Sequence, residues 1–203
     1  MSETTIERDD VVAPERFTQE SLGWVPWLQP LPKADFTDRH WDGVVDRQRA
    51  DMPYFALLAR DPEILRARTL TDNDIFYNTD GGAPRAEREL AAAATSRLNG
   101  CVFCASVHSR FASEQSGRSE EVQRLLDEGV EAPLEPRWRA VVDASVALTR
   151  VPSAFGTDDI ASLRAQGLGD EEISDVIHGA AFFNWANRLM LSLGEPEVPA
   201  RRR

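Results

Sequence analysis

The sequence predicts an all-α domain, on three observations. Prolines, glycines and capping residues divide most of the chain into segments with apolar residues at helical spacing. No stretch shows sustained alternation of apolar and polar positions with β-branched enrichment. The breaks between segments are short, as in domains built from helices packed on helices. About eight helices are expected, preceded by an extended N-terminal arm. The organisation is a polar start and Trp/Pro-rich arm over 1–36, a single domain over 37–196, and a tail over 197–203.

Each element has its local reason. Residues 1 to about 16 are polar, which predicts a mobile start. The run SLGWVPWLQPLPKADF then carries Trp24, Trp27 and three prolines, so it is no regular helix. Its tryptophans are too apolar to stand in water. The arm packs on its own domain or embraces a neighbouring subunit. Thr37 is a candidate N-cap for a helix containing Trp41, Val44 and Val45. Pro53 and Pro62 each stand at a helix start, where the missing N–H costs nothing. Asp80-Gly81-Gly82 forms a turn.

Pro84 opens PRAERELAAAATSRL, rich in helix formers, and Asn99-Gly100 breaks it. The next helix starts near Cys101 and stops at Gly117. Ser119-Glu120-Glu121 leads VQRLLDE to Gly129, and Pro136 opens a helix through Thr149 with Trp138, Val141, Val142 and Leu148 on one stripe. Thr157-Asp158-Asp159 and Asp170 start the last two helices. The final one carries Ile173, Val176, Ile177, Ala180 and Ala181 toward Trp185 and Leu189.

Composition narrows the function. Of 203 residues 42% are hydrophobic, ordinary for a globular protein, and the net charge is −11. That charge opposes nonspecific contact with nucleic acid or anionic membranes. No apolar run reaches about 18 residues, the length a spanning helix needs. The acidic start MSETTIERDD lacks the pattern of a secretion signal, so a cytoplasmic location is expected. The terminal Arg201-Arg202-Arg203 reads as a solvated tail.

The chemistry concentrates in Gly100-Cys101-Val102-Phe103-Cys104-Ala105-Ser106-Val107-His108, which holds both cysteines and one of three histidines. At Cys-x-x-Cys-x-x-x-His spacing all three groups share one helical face. Cys104 falls in the first turn, where the helix dipole favours a thiolate. Glu89, on the preceding helix, can fold back toward the pair as a base or relay. Three other readings stand beside a redox dithiol. The thiols could be inert buried hydrophobes. With His108 they could form most of a zinc site, needing His40, His178 or a carboxylate as fourth ligand. A structural disulfide would close too short a loop to constrain much.

The run ERELAAAATSRLNGCVFCASVHSRFA resembles the signature of the alkylhydroperoxidase D (AhpD-like) group of the carboxymuconolactone decarboxylase superfamily. Glu89 stands twelve residues before Cys101, and His108 four after Cys104, as in that signature. RWRAVVDASVALTRVP and FFNWANRLMLSLGEP resemble its peroxidase-related branch. The resemblance spans roughly 46–196. One position departs: Phe103 stands where some members carry a histidine between the cysteines.

The resemblance implies a compact helical fold that assembles as a homo-oligomer, a trimer or a multiple of one. It implies a thiol-dependent peroxidase acting on alkyl hydroperoxides, or a disulfide reductase, with no metal or organic cofactor. Cys104 would be the peroxidatic thiolate and Cys101 the resolving thiol. His108 would stabilise the thiolate and Glu89 relay protons. An external dithiol, such as a lipoyl-bearing partner, would supply electrons. A lactone decarboxylase-type lyase and a non-enzymatic redox sensor are the alternatives. His178, Asn184 and Tyr77 are candidates for a supporting layer around the dithiol, His178 from within the apolar stripe of the last helix.

Overall fold

The computed structural model describes residue 6 and residues 10–199; most of the polar start and Arg201–Arg203 lie outside the described residues. The architecture is all-α. Among the described residues nine α-helices occur: α1 (Asp38–Val44), α2 (Pro53–Leu58), α3 (Pro62–Tyr77), α4 (Arg85–Asn99), α5 (Val102–Ser116), α6 (Ser119–Glu128), α7 (Pro136–Thr149), α8 (Thr157–Ala165) and α9 (Asp170–Leu193). None is long and apolar enough to cross a membrane.

The starts and stops follow local chemistry. Pro53, Pro62 and Pro136 occupy first helical positions. The Asp61 carboxylate accepts from the Ile64 N–H, and the Glu135 carboxylate accepts from the Trp138 N–H. At α1, the Thr37 N–H donates to His40 Nδ1 at 3.0 Å.

α4 is the central helix. Every residue from Glu87 to Ser96 is buried, so it is covered on all sides. Four successive alanines, Ala91–Ala94, let α5, α7 and α9 approach closely. Two hydrophobic clusters flank it. One joins Val44, Phe55, Leu65, Phe76, Phe183 and Met190 with both cysteines. The other joins Leu90, Val122, Leu125, Trp138, Val141 and Val176. Gly100 ends α4 in the left-handed region (φ 79°), a conformation that favours glycine. Its N–H donates to the Ser96 carbonyl, and α5 folds back along α4.

The arm differs from a simple extended strap. Residues Gly23–Pro26 (β1) pair antiparallel with Gly194–Glu197 (β2), Trp24 opposite Pro196. The period-two signal was absent because both strands are only four residues and each contains proline, as a two-stranded edge ribbon permits. Trp24 is buried and meets Tyr54 edge-on at 5.5 Å. Trp27 stays half-exposed and donates from Nε1 to Glu195. The polar start docks too: the Val198 N–H donates to the Val12 carbonyl, and Ser113 Oγ donates to Gln19.

Gly194 lies against the Val25 carbonyl and the Trp24 ring, where a Cβ would overlap both. Gly194→Ala is expected to lower stability by roughly 1–3 kcal/mol, the scale of overpacking. Chemical denaturation would show it, together with faster hydrogen exchange at Trp27, whose N–H donates to the Leu193 carbonyl.

Candidate functional site

Cys101 and Cys104 are both free and buried, with their sulfurs 2.9 Å apart. Cys101 is the N-cap of α5, and Cys104 lies in its first turn. The expected lowering of Cys104 is not found; the lowered thiol is Cys101. Cys101 is held below the ordinary thiol value, first by the hydrogen bond from Cys104, against the opposing effect of burial. The Cys104 backbone N–H and the Asn187 amide lower it further. Cys104 is pushed well above the ordinary value by burial, and then by the hydrogen bond and charge it shares with Cys101. Of the reduced pair, Cys101 is therefore the thiol that loses its proton first, and Cys104 the one that keeps it longer.

Cys104 nevertheless lines a cavity of about 390 Å³, within the usual range for small-molecule sites. Glu89 and His108 share its wall. The Glu89 carboxylate, 1% exposed, meets His108 Nδ1 at 2.6 Å and Arg85 at 3.1 Å. The imidazole is clamped between Phe183 (3.9 Å between ring centres) and Phe76 (5.0 Å). Among the described contacts, no hydrogen bond joins His108 to either sulfur. The geometry brings Glu89, Cys104 and His108 to one cavity and puts Cys101 behind Cys104.

The three supporting candidates separate. Tyr77 stands at the cavity mouth, 53% exposed, with the Arg85 guanidinium 4.4 Å from its ring centre. Asn184 accepts from Asn99 Nδ2 at 3.1 Å but does not line the cavity. His178 is exposed, contrary to its expected place in the apolar stripe. The buried positions of α9 include Val176, Ala180, Phe183, Asn187 and Met190. At about 100° per residue His178 lies on the side opposite Asn187. His40, engaged at the start of α1, is likewise away from the sulfurs. Among the described residues no group of three or more His, Cys, Asp and Glu side chains could hold a metal ion.

Asn187, three residues beyond Asn184 on α9, is the supporting residue that the last helix does bring to the dithiol. It is 0% exposed, donates from Nδ2 to Ser96 Oγ at 3.0 Å, and accepts from Asn99 Nδ2 at 3.1 Å. These bonds orient the amide that acts on both sulfurs. The signal was a polar side chain in phase with Phe183 and Met190.

Residues 62–147, from α3 through most of α7, match the model of the carboxymuconolactone decarboxylase family. Over that stretch the chain resembles this family, and its fold is that of AhpD-like proteins. The chain superposes on the alkylhydroperoxidase AhpD core of an uncharacterized peroxidase-related protein from Ralstonia eutropha JMP134. The TM-score is 0.69 at 25% identity, over 81% of this chain and 88% of that one. A peroxidase-related protein from Silicibacter sp. TM1040 shares the fold at TM-score 0.66 and 23% identity, over 95% of each chain. The uncharacterized protein YdfG of Bacillus subtilis (strain 168) is 25% identical over 119 residues, 58% of this chain and 80% of YdfG.

Removing the Asn187 donor disfavours the charged sulfur, so the first thiol pKa must rise. A hydrogen bond to a charged group is worth about 1.5–3 kcal/mol, or roughly one to two pH units. Asn187→Leu is expected to shift the thiolate absorbance titration of the reduced protein upward on that scale. An unchanged titration would remove Asn187 from the site.

Proposed function

We propose that this protein is a thiol-dependent peroxidase that reduces organic hydroperoxides through the Cys101–Cys104 pair. The observation that carries the reading is Cys104 in the wall of a small-molecule cavity, backed by a second thiol at 2.9 Å and beside the Glu89–His108 pair. A lactone lyase needs no such dithiol, and a sensor needs no such cavity.

In the proposed cycle Cys104 first loses its proton, to the Cys101 thiolate or toward His108 with Glu89 behind it. The Cys104 thiolate attacks the terminal peroxide oxygen. The O–O bond breaks, the sulfur becomes a sulfenic acid, and the alkoxide leaves as an alcohol after taking a proton. Cys101, as thiolate, then attacks the Cys104 sulfur. A disulfide forms and hydroxide leaves as water once protonated. An external dithiol of lipoyl type reduces the disulfide and is itself oxidised. Its thiols restore both protein thiols. The exposed Trp185 and Leu191 of α9 suit contact with further copies of the chain, trimers or multiples of them.

The test is peroxide consumption with dihydrolipoamide, dithiothreitol or thioredoxin as reductant. Cys104→Ser is expected to abolish turnover. Cys101→Ser is expected to react once and stop as a sulfenic or sulfinic acid on Cys104, seen by mass spectrometry. Glu89→Gln keeps the size of the side chain but is expected to lower turnover about 10²-fold or more, the scale of a positioned proton-transfer group. Wild-type protein that consumes no hydroperoxide with any of the three reductants would overturn the reading.

A further inference from the structure

The cavity has a second polar feature, on the wall formed by α2 and α3. Arg68 is only 9% exposed and Tyr54 6%, and both line the cavity with Arg49 and Asp72. Burying a charged guanidinium is costly unless its donors are used. This chain uses them elsewhere. Arg88, also buried, donates to the carbonyls of Ala83, Ile75, Asn78 and Gly81 and faces Asp175. Arg68 has no such set. Nη2 donates to Asp72 at 3.4 Å, and Nη1 lies 3.2 Å from the same carboxylate without hydrogen-bond geometry. Arg68 Nε and the Tyr54 hydroxyl find no hydrogen-bond partner, and Arg49 Nη1 finds none either.

Charge points the same way. Arg49 and Arg68 face the single carboxylate of Asp72, so the wall carries one uncompensated positive charge in a chain of net charge −11. The nearby Glu89 carboxylate is already engaged by His108 and Arg85. Burial pushes the Tyr54 hydroxyl up to about 12, partly offset by the Arg68 charge, so it remains a donor at neutral pH. Apart from Ser21 and Arg110, whose guanidinium turns to the Gln19 carbonyl and the Phe111 ring, the rest of the lining is mostly apolar and aromatic, with Phe55, Phe76, Phe103, Phe111 and Met190. Arg68 also acts electrostatically on Cys104, so this wall and the thiol face one space.

We propose that Arg68, Tyr54 and Arg49 form a carboxylate-binding subsite, and that the ligand of this cavity is a small amphipathic monocarboxylate whose apolar body lies against the phenylalanines. A guanidinium edge and a phenol offer converging donors for the two oxygens of a carboxylate. One excess positive charge balances a monoanion; a phosphate dianion would leave a buried charge unpaired. That the bound acid carries a hydroperoxide group rests on the thiol peroxidase reading; the subsite itself does not.

The test separates the two. Octanoate and octan-1-ol are titrated calorimetrically into the reduced full-length protein. Octanoate is expected to bind at least about tenfold more tightly, the effect of charge-assisted hydrogen bonds. It is also expected to slow alkylation of Cys104 by iodoacetamide. Arg68→Met is expected to weaken octanoate about tenfold or more, and Tyr54→Phe, which removes one oxygen, by a smaller factor. In turnover, the ratio of kcat/KM for a short hydroperoxy carboxylic acid over tert-butyl hydroperoxide is expected to fall about tenfold in Arg68→Met. Octanoate binding without turnover of any hydroperoxide supports the subsite and defeats the peroxidase reading. Equal binding of octanoate and octan-1-ol, or undiminished octanoate binding in both variants, overturns the subsite.

Discussion

The close antiparallel packing of α4 against α5 is the constraint on which the site depends. It needs small side chains on α4, a left-handed residue at the corner, and polar partners wherever the interface buries charge. Ala91–Ala94 supply the first and Gly100 the second. Glu89 and His108, one from each helix, supply the third at 2.6 Å. A side chain larger than alanine along α4 would separate the helices and lengthen that contact. Packing and chemistry are thus imposed by the same few residues.

α9 completes what the helix pair begins. Phe183 packs on the His108 ring, and Asn187 reaches the sulfurs one turn further along. The α2–α3 wall closes the cavity from the other side with Tyr54, Arg68 and Phe76. Three separate stretches of chain therefore meet around Cys104. Of these, the contiguous α4–α5 stretch alone carries Glu89, both cysteines and His108.

That contiguity explains what could be read from the sequence. Glu89, Cys101, Cys104 and His108 sit on two helices joined by one tight turn, so spacing alone brings them together. Helix limits were legible because Pro53, Pro62, Pro136, Gly117 and Gly129 act locally. Arg68 was not legible: in PEILRARTLTDNDIFYN it looks like the exposed Arg66 two residues before it. Its burial depends on α2 and α9, far away in sequence. His178 misled because an apolar stretch was read without its helical phase, whereas Asn187, nine residues on, had the right one. The β1–β2 ribbon escaped because its pairing joins opposite ends of the chain and its strands are too short to show alternation.

The position of Cys101 as N-cap has a thermodynamic consequence. In the reduced protein the Cys104 thiol, the Cys104 N–H and the Asn187 amide all favour negative charge on the Cys101 sulfur at the start of α5. Forming a bond to Cys104 leaves no sulfur able to carry that charge, and this stabilisation is lost. Stabilisation confined to the reduced form raises the reduction potential of a dithiol. The placement of Cys101 beside these groups thus biases the pair toward accepting electrons, and a dithiol donor need not be strongly reducing to regenerate it.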